Sequence, residues 1–202
     1  MALIDLIDVS KKFGPNEILN KISFSINERE RIAIIGKNGS GKSTLMKLVA
    51  GALEPDNGRR IVQGGVKVEM LAQNPKFDDA ATVKDALNLE LKEIFDARSE
   101  YAAVLEALGR DPQNKELNAR QDELIKFIEA KDGWQIERKI ERVLEEFKLK
   151  EYENRAVSSL SGGEIRRVAL GALILKKPDV LLLDKPTMSL LWTFPLGKLL
   201  KR

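Results

Sequence analysis

The sequence contains neither cysteine nor histidine, and aromatic residues make up only 5% of its 202 positions. Without cysteine, disulfides, thiolate metal sites and thiol catalysis are excluded. Without histidine as well, a metal site would depend on carboxylate ligands. No hydrophobic run approaches the ~20 residues that a membrane-spanning helix needs, and the N-terminus carries acidic residues where a signal peptide would be basic. We therefore expect a soluble, cytoplasmic protein.

The net charge does not indicate which class of partner the protein binds. Lys and Arg total 34 against 31 Asp and Glu, so the formal net charge of +3 is too small to mark a nucleic-acid-binding tail. Hydrophobic residues make up 43% of the chain, which is enough for the core of one domain or slightly more.

The N-terminal part of the chain is typical of a β-sheet. Short β-rich runs separated by turns fill residues 1–73, and they read LIDLIDV, KISFSI, RIAIIG, RRIVQ and VKVEMLAQ. One helix, predicted from Ser43 to Ala50, interrupts them.

The middle of the chain changes to a helical period. Apolar residues recur at spacings of three, four and seven over residues 82–148, with breaks at Asp111-Pro112 and at Asp132-Gly133. Another helix is predicted to end near Lys176, and the all-apolar run 180–183 is typical of a strand buried on both faces. This order predicts an α/β core with a helical subdomain inserted into it.

Residues 36–43 read GKNGSGKS and match the phosphate-binding pattern G-x-x-x-x-G-K-[ST]. The pattern lies in its required context, after the apolar run 32–35, which we predict to be a strand, and before a helix. Glycines let backbone N–H groups turn inward around a phosphate, and the helix N-terminus adds positive potential. Lys42 would then reach the β- and γ-phosphates, and the hydroxyl of Ser43 would bind Mg²⁺. A glycine-rich turn without function is the alternative.

A second glycine pair lies in the sequence LSGGE at residues 160–164. Taken alone, it is an ordinary helix start in which Ser161 is the N-cap. Here it follows a phosphate loop and precedes a strand that ends in Asp184. This order, over residues 1 to about 187, resembles the ATP-binding cassette (ABC) family.

The resemblance implies a P-loop NTPase fold of the ABC type: an α/β core with an antiparallel β subdomain and an inserted helical subdomain. It also implies ATP and Mg²⁺ as cofactors, with Ser43, Gln73 and Asp184 on the magnesium ion, and a second cassette, in tandem or as a homodimer, whose ATP would meet Ser161, Gly162, Gly163 and Glu164. The nucleotide-binding residues that it implies are Phe13, Gly36, Asn38, Gly39, Ser40, Gly41, Lys42, Ser43, Thr44, Gln73 and Asp184.

Two of these assignments have structural alternatives. Phe13 matches the position whose ring stacks on adenine, but it could instead be a core phenylalanine. Gln73 matches the glutamine that touches Mg²⁺ and senses the γ-phosphate, but it could instead be a solvated residue at the end of a strand.

The long segment between Gln73 and Ser161 resembles the ABC-F group, and within it the Uup-like branch. Its middle, about residues 91–130, is predicted to form two charged antiparallel helices. In ABC-F proteins such an arm meets the ribosome and tRNA, so ribosome, RNA or DNA are implied partners. A solvated hairpin is the alternative, because acidic and basic residues alternate along it. If the arm contacts RNA, the candidates are Arg98, Arg110, Lys115 and Arg120.

The sequence departs from the family after Asp184. The family's catalytic glutamate is replaced by Lys185, which has no free lone pair at neutral pH, and the family's later histidine is absent. We expect ATP to bind and hydrolysis to be slow or absent. Residues 188–202 match no family segment, which suggests a truncation or a shift of reading frame near Thr187.

These observations predict a division of the chain into segments. Residues 1–73 and 158–187 would form the nucleotide-binding core, residues 74–157 a helical subdomain, and residues 188–202 an aberrant tail. Two rival functions stay open: the ATPase subunit of an ABC transporter, and a regulatory module that binds ATP without hydrolysing it.

Overall fold

The computed structural model describes residues 1–78 and 80–184. They fall into two compact units, one made of residues 1–74 together with 177–184, and the other of residues 75–176. The strands are β1 (Ala2–Phe13), β2 (Asn16–Asn27), β3 (Asn57–Val62), β4 (Val68–Leu71) and β5 (Val180–Leu183). The α-helices are α1 (Lys42–Ala50), α2 (Val83–Leu89), α3 (Lys92–Arg110), α4 (Lys115–Ala130), α5 (Ile136–Glu146) and α6 (Gly162–Leu175).

Three antiparallel strands in the order β2-β1-β3 form the larger sheet of the first unit. β1 buries Ile4 and Leu6 on one face, as the alternation LIDLIDV predicts. The next buried residue is Val9 because the register shifts between Leu6 and Val9, where Asp8 adopts a left-handed φ of 49°. The predicted strands at β1, β2 and β3 are therefore confirmed, with an irregularity that the alternation did not show.

A parallel pair of strands, β4 and β5, forms the second sheet. Their register runs from Val68 opposite Val180 to Leu71 opposite Leu183. Helix α1 contributes Leu48 and Val49 to the core that contains Val180. The strand predicted at 180–183 is present, but only Val180 is buried, since β4 is its one neighbour among the described strands.

The prediction of a strand at residues 32–35 is wrong for this structure. The segment forms no regular secondary structure, and none of the described strands pairs with it. Ile32 and Ile35 are consequently 46% and 93% exposed. An apolar run becomes a buried strand only where a neighbour satisfies its backbone groups, and none of the described strands does so.

The second unit contains the predicted helices. Helices α3 and α4 pack as a hairpin along an apolar seam whose buried members are Ala97, Val104, Leu124 and Ile128. Helix α3 ends just before Asp111-Pro112, as predicted. Helix α4 begins after Asn114, whose side chain caps it by accepting a hydrogen bond from the N–H of Leu117 at 3.1 Å.

The predicted division of the chain, with residues 158–187 in the nucleotide-binding core, stays a prediction. In the structure, α6 belongs to the helical unit. The reason is packing, because α6 contacts α2 and α5, and Gly171 brings it close to Val143 and Leu87. The first unit ends at Asn74 and resumes at Lys177.

None of the helices in residues 1–78 and 80–184 combines the length and the apolar character that crossing a bilayer requires.

The close contact between β1 and β3 at Gly58 allows the fold to be tested. Gly58 has a φ of 81°, and a Cβ there would overlap the backbone carbonyls of Ile7 and Asp8. We expect Gly58→Ala to lower the free energy of unfolding by about 1–3 kcal/mol, because a side chain would be strained in that conformation and would push β3 off β1. Urea denaturation measures the change.

Gly64→Ala is the matched control, since a Cβ at Gly64 meets no atom within 4 Å. Equal stabilities of the two variants would contradict the role assigned to Gly58.

Candidate nucleotide-binding site

The loop of residues 36–43 is held in shape by glycine geometry. Gly39 and Gly41 have φ values of 81° and 86°, and Gly41 is the N-cap of α1. A Cβ on Gly41 would lie 2.8 Å from Cγ2 of Ile18 and 3.2 Å from its carbonyl oxygen. Only glycine therefore lets the loop turn into the helix while it lies against β2.

The start of α1 leaves its first amides available. No side chain caps the helix, and its first turn contains no acidic residue. The N–H of Leu45 donates to the carbonyl of Gly41 at 2.8 Å, whereas the amides before it are those that a helix cannot satisfy internally. The positive end of the helix dipole is thus uncompensated by the chain itself, and such an end suits an anion.

Lys42 directs its ammonium group back into the loop. Its Nζ donates hydrogen bonds to the carbonyl oxygens of Gly36 at 2.8 Å and Lys37 at 2.6 Å. The N–H of Ser40 also bonds the carbonyl of Lys37, at 3.2 Å. The side chain predicted to reach the phosphates therefore lies within the turn that the glycines create.

Asp184 and Gln73 follow the carboxyl ends of two neighbouring parallel strands. Gln73 comes two residues after β4 and is exposed, while Asp184 comes directly after β5 and is only 7% exposed. Because β4 and β5 are parallel, both residues lie at the same edge of the sheet. Asp184 has interactions within the fold, so it is not a free carboxylate.

The donor types of the three predicted ligands fit Mg²⁺. Ser43, Gln73 and Asp184 offer a hydroxyl, an amide and a carboxylate oxygen, and magnesium prefers such hard oxygen ligands. Within the described residues, no group of three acidic side chains could hold a metal unaided. A metal at this place would therefore share its coordination with phosphate oxygens and water.

Phe13 ends β1 with half of its surface exposed to solvent. The alternative of a core phenylalanine does not describe it, because a core ring would be buried. Stacking on adenine stays a prediction.

The predicted second glycine motif begins α6 with a complete capping box. The Ser161 side chain accepts a hydrogen bond from the N–H of Glu164 at 3.4 Å, and the Ser161 N–H donates to the Glu164 carboxylate at 2.7 Å. Ser161, Gly162 and Gly163 are exposed, and a Cβ on either glycine would meet no atom within 4 Å. Local packing therefore does not require glycine at these two positions.

Tyr152, which was not among the predicted site residues, interacts with Glu164 at this helix start. The guanidinium of Arg155 lies 5.3 Å from the centre of the Tyr152 ring. Hydrogen bonds from Ser161 hold the pKa of Glu164 below its usual range, and the Tyr152 hydroxyl acts in the same direction. No spacing rule links Tyr152 to residue 164, so the sequence carried no signal for this contact.

Three of the four basic candidates on the α3–α4 hairpin are already paired with carboxylates. Arg98 bonds Glu137 at 2.5 Å, and Arg110 bonds Glu106 at 2.6 Å. Arg120 meets Glu100 at 2.6 Å. Lys115 is exposed at the start of α4. The predicted basic residues therefore lie on the hairpin, but three of the four form ion pairs with acidic neighbours.

Lys185 and the predicted tail at 188–202 lie outside the described residues.

Comparison with known proteins gives consistent matches. The family described as ABC transporter matches residues 19–188. The energy-dependent translational throttle protein EttA of Haemophilus influenzae is 38% identical over 175 residues, which cover 86% of this chain and 31% of that protein. The uncharacterized ABC transporter ATP-binding protein YfmR of Bacillus subtilis is 33% identical, over 94% of this chain and 30% of its own length. The chain therefore spans about a third of the length of these relatives.

Solved structures match as well. The ATP-binding subunit of an ABC transporter superimposes with a TM-score of 0.65 at 19% identity, covering 92% of this chain and 67% of the other. A nucleotide-free ATP-binding cassette from an ABC transporter gives a TM-score of 0.60 at 26% identity, covering 93% and 70% of the two chains. The predicted α/β fold of the ABC type is confirmed.

The capping box predicts a pH-dependent stability. Because the pKa of Glu164 is lowered in the folded state, its ionised form stabilises the fold above the unfolded-state pKa. This stabilisation is lost as the pH falls through the lowered folded-state pKa. We expect Glu164→Gln to be less stable than the wild type near pH 7, with the difference shrinking near pH 3, as urea denaturation would measure.

Glu145→Gln is the control, since Glu145 is an exposed carboxylate on α5. If the loss of stability in Glu164→Gln were the same at both pH values, ionisation of this carboxylate would not stabilise the helix start.

Proposed function

The chain belongs to the ABC transporter family of ATPase domains, and from this premise we propose that it binds Mg-ATP at residues 36–43 as one cassette of a two-cassette assembly. One observation carries the proposal: the left-handed glycine N-cap of α1 presents uncapped helix amides beside the ammonium group of Lys42. Backbone amides, a helix N-terminus and a lysine in one turn form the cradle that phosphate groups require.

Each member of the site has a distinct task in this proposal. The amides of Gly39 to Thr44 would bind phosphate oxygens, that of Ser40 after releasing the carbonyl of Lys37. Lys42 would exchange its two carbonyl acceptors for β- and γ-phosphate oxygens. Ser43, Gln73 and Asp184 would hold Mg²⁺. The ion would neutralise phosphate charge.

The start of α6 would serve the nucleotide of a second cassette. Exposed glycines at 162 and 163, in places where packing would admit a side chain, allow close approach of another molecule. Glycine in a first helical turn costs some stability, so a contact outside this chain would explain its presence. The partner would be a tandem cassette or a second copy.

We further assign the chain to the ABC-F group, in the Uup-like branch. The support is the α3–α4 hairpin inserted between Gln73 and Ser161, together with the similarity to the translational throttle protein EttA. In this assignment the hairpin would reach a ribosome or another nucleic-acid assembly, and nucleotide binding would drive the cycle. Contact with phosphates would require Arg98, Arg110 and Arg120 to leave their carboxylate partners, whereas Lys115 is exposed already.

The ATPase subunit of an ABC transporter is the second candidate. It is favoured by the structural likeness to ABC transporter cassettes. Co-purification of a membrane permease with the chain would favour it over the ABC-F assignment.

Nucleotide binding is tested by replacing Lys42. We expect Lys42→Met to weaken MgATP binding at least about tenfold, because hydrogen bonds from a charged donor to phosphate would be lost. Isothermal titration calorimetry measures the affinity. Lys37→Met is the matched control, since Lys37 is an exposed lysine of the same loop. Properly folded wild-type protein that gave no heat with MgATP would refute the proposal.

Hydrolysis is tested at Lys185. We expect the wild-type chain to bind ATP with little phosphate release, because a lysine at this position provides no general base. Lys185→Glu is expected to raise turnover by about 10²-fold or more in a phosphate-release assay. Lys185→Gln, which removes the positive charge without adding a base, is the control. Ordinary turnover by the wild type would contradict impaired hydrolysis and leave nucleotide binding untouched.

A further inference from the structure

An ion pair fastens the turn after α1 to the end of β1. Nζ of Lys11 donates to Oδ1 of Asp56 at 2.6 Å, and the backbone N–H of Lys12 donates to Oδ2 at 2.7 Å. Each carboxylate oxygen of Asp56 therefore accepts a hydrogen bond from one of two consecutive residues of β1. The N–H of Asp56 donates to the carbonyl of Ser10 at 2.9 Å.

The residues beneath this ion pair are anchored in the sheet. Ser10 is only 6% exposed, and its side-chain oxygen accepts a hydrogen bond from the N–H of Lys21 on β2 at 2.9 Å. The side chain of Lys11 is 13% exposed, which is low for a lysine. The hydrogen bond from Lys11 holds the pKa of Asp56 below its usual range, so the carboxylate stays ionised at neutral pH.

The same ammonium group lies over Phe13. Nζ of Lys11 is 6.0 Å from the centre of the ring, within the range of a cation–π contact. The ring is nevertheless 50% exposed. With the cation on one face, the opposite face is the one on which a planar group could stack.

We propose that Lys11 and Asp56 act as a clamp that orients Phe13 for stacking of the nucleobase, so that they determine affinity for the base and not for the phosphates. The inference rests on the proposed nucleotide binding. Asp56 fixes the ammonium, and the ammonium fixes the plane of the ring. Because Asp56 compensates the charge of Lys11, the pair adds little attraction for the phosphates, which sets it apart from Lys42.

A comparison of two ligands separates base recognition from phosphate recognition. MgATP carries both features, whereas magnesium tripolyphosphate carries only the phosphates. We expect Lys11→Met to weaken MgATP binding about threefold to tenfold and to leave the affinity for tripolyphosphate unchanged, since only stacking on the ring is lost. Asp56→Asn is expected to act in the same direction, and Lys11→Arg to keep the wild-type affinity. Calorimetry measures all of these values.

Lys12→Met is the matched control. Lys12 is the next residue of β1, and its side chain is exposed in a looser ion pair with Glu17 at 3.7 Å. Its contact with Asp56 comes from the backbone, so the substitution leaves the clamp in place. Urea denaturation of each variant shows whether the fold is retained, and Lys11→Arg with Asp56→Asn gives a second pair of variants if Lys11→Met does not fold.

Three results would overturn the clamp: unchanged ATP affinity in folded Lys11→Met or Asp56→Asn, an equal loss for ATP and tripolyphosphate, or an equal loss in Lys12→Met. Wild-type protein that bound tripolyphosphate and ATP with the same affinity would also overturn it, because the base would then add nothing. Wild-type protein that bound neither ligand would instead refute the proposed nucleotide binding, so the two failures are distinguishable.

Discussion

The close approach of Gly41 to β2 is the constraint on which the candidate site depends. Gly41, which has no side chain, lies against Ile18, adopts a left-handed conformation and is the N-cap of α1. The direction of the first helical amides, the return of Lys42 into the loop and the position of Ser43 all follow from this turn. Because α1 also packs Leu48 and Val49 into the core with Val180, the loop is tied to the parallel strands that carry Gln73 and Asp184.

The two glycine-containing helix starts use their amides differently. α1 has no side-chain cap and no acidic residue in its first turn, so its positive end is left for a ligand. At α6, by contrast, Ser161 and Glu164 bond each other's backbone, and a carboxylate already compensates the helix dipole. An anion is therefore better accommodated at the start of α1, whereas the first turn of α6 is preformed and exposed.

Charge on the α3–α4 hairpin is largely compensated within the hairpin and its neighbours. Arg120 joins the two helices through Glu100, and Arg98 joins α3 to the first turn of α5 through Glu137. These pairs are half-buried to exposed and contribute little stability individually. The apolar seam that includes Val104 and Ile128 holds the helices together, so the arginines could exchange partners without loss of the hairpin.

The sequence by itself determined the local features. These are the helix periods, the break at Asp111-Pro112, the phosphate-loop pattern and the capping signal at Ser161. Each of them depends on residues that are close together in the sequence. Tertiary structure alone decided whether the apolar run 32–35 pairs, because pairing depends on a strand distant in sequence. It also brought Lys11 to Asp56, 45 residues away, where the same ammonium group lies over the ring of Phe13. Periodicity and spacing report short-range order, whereas contacts between distant residues depend on how the elements pack.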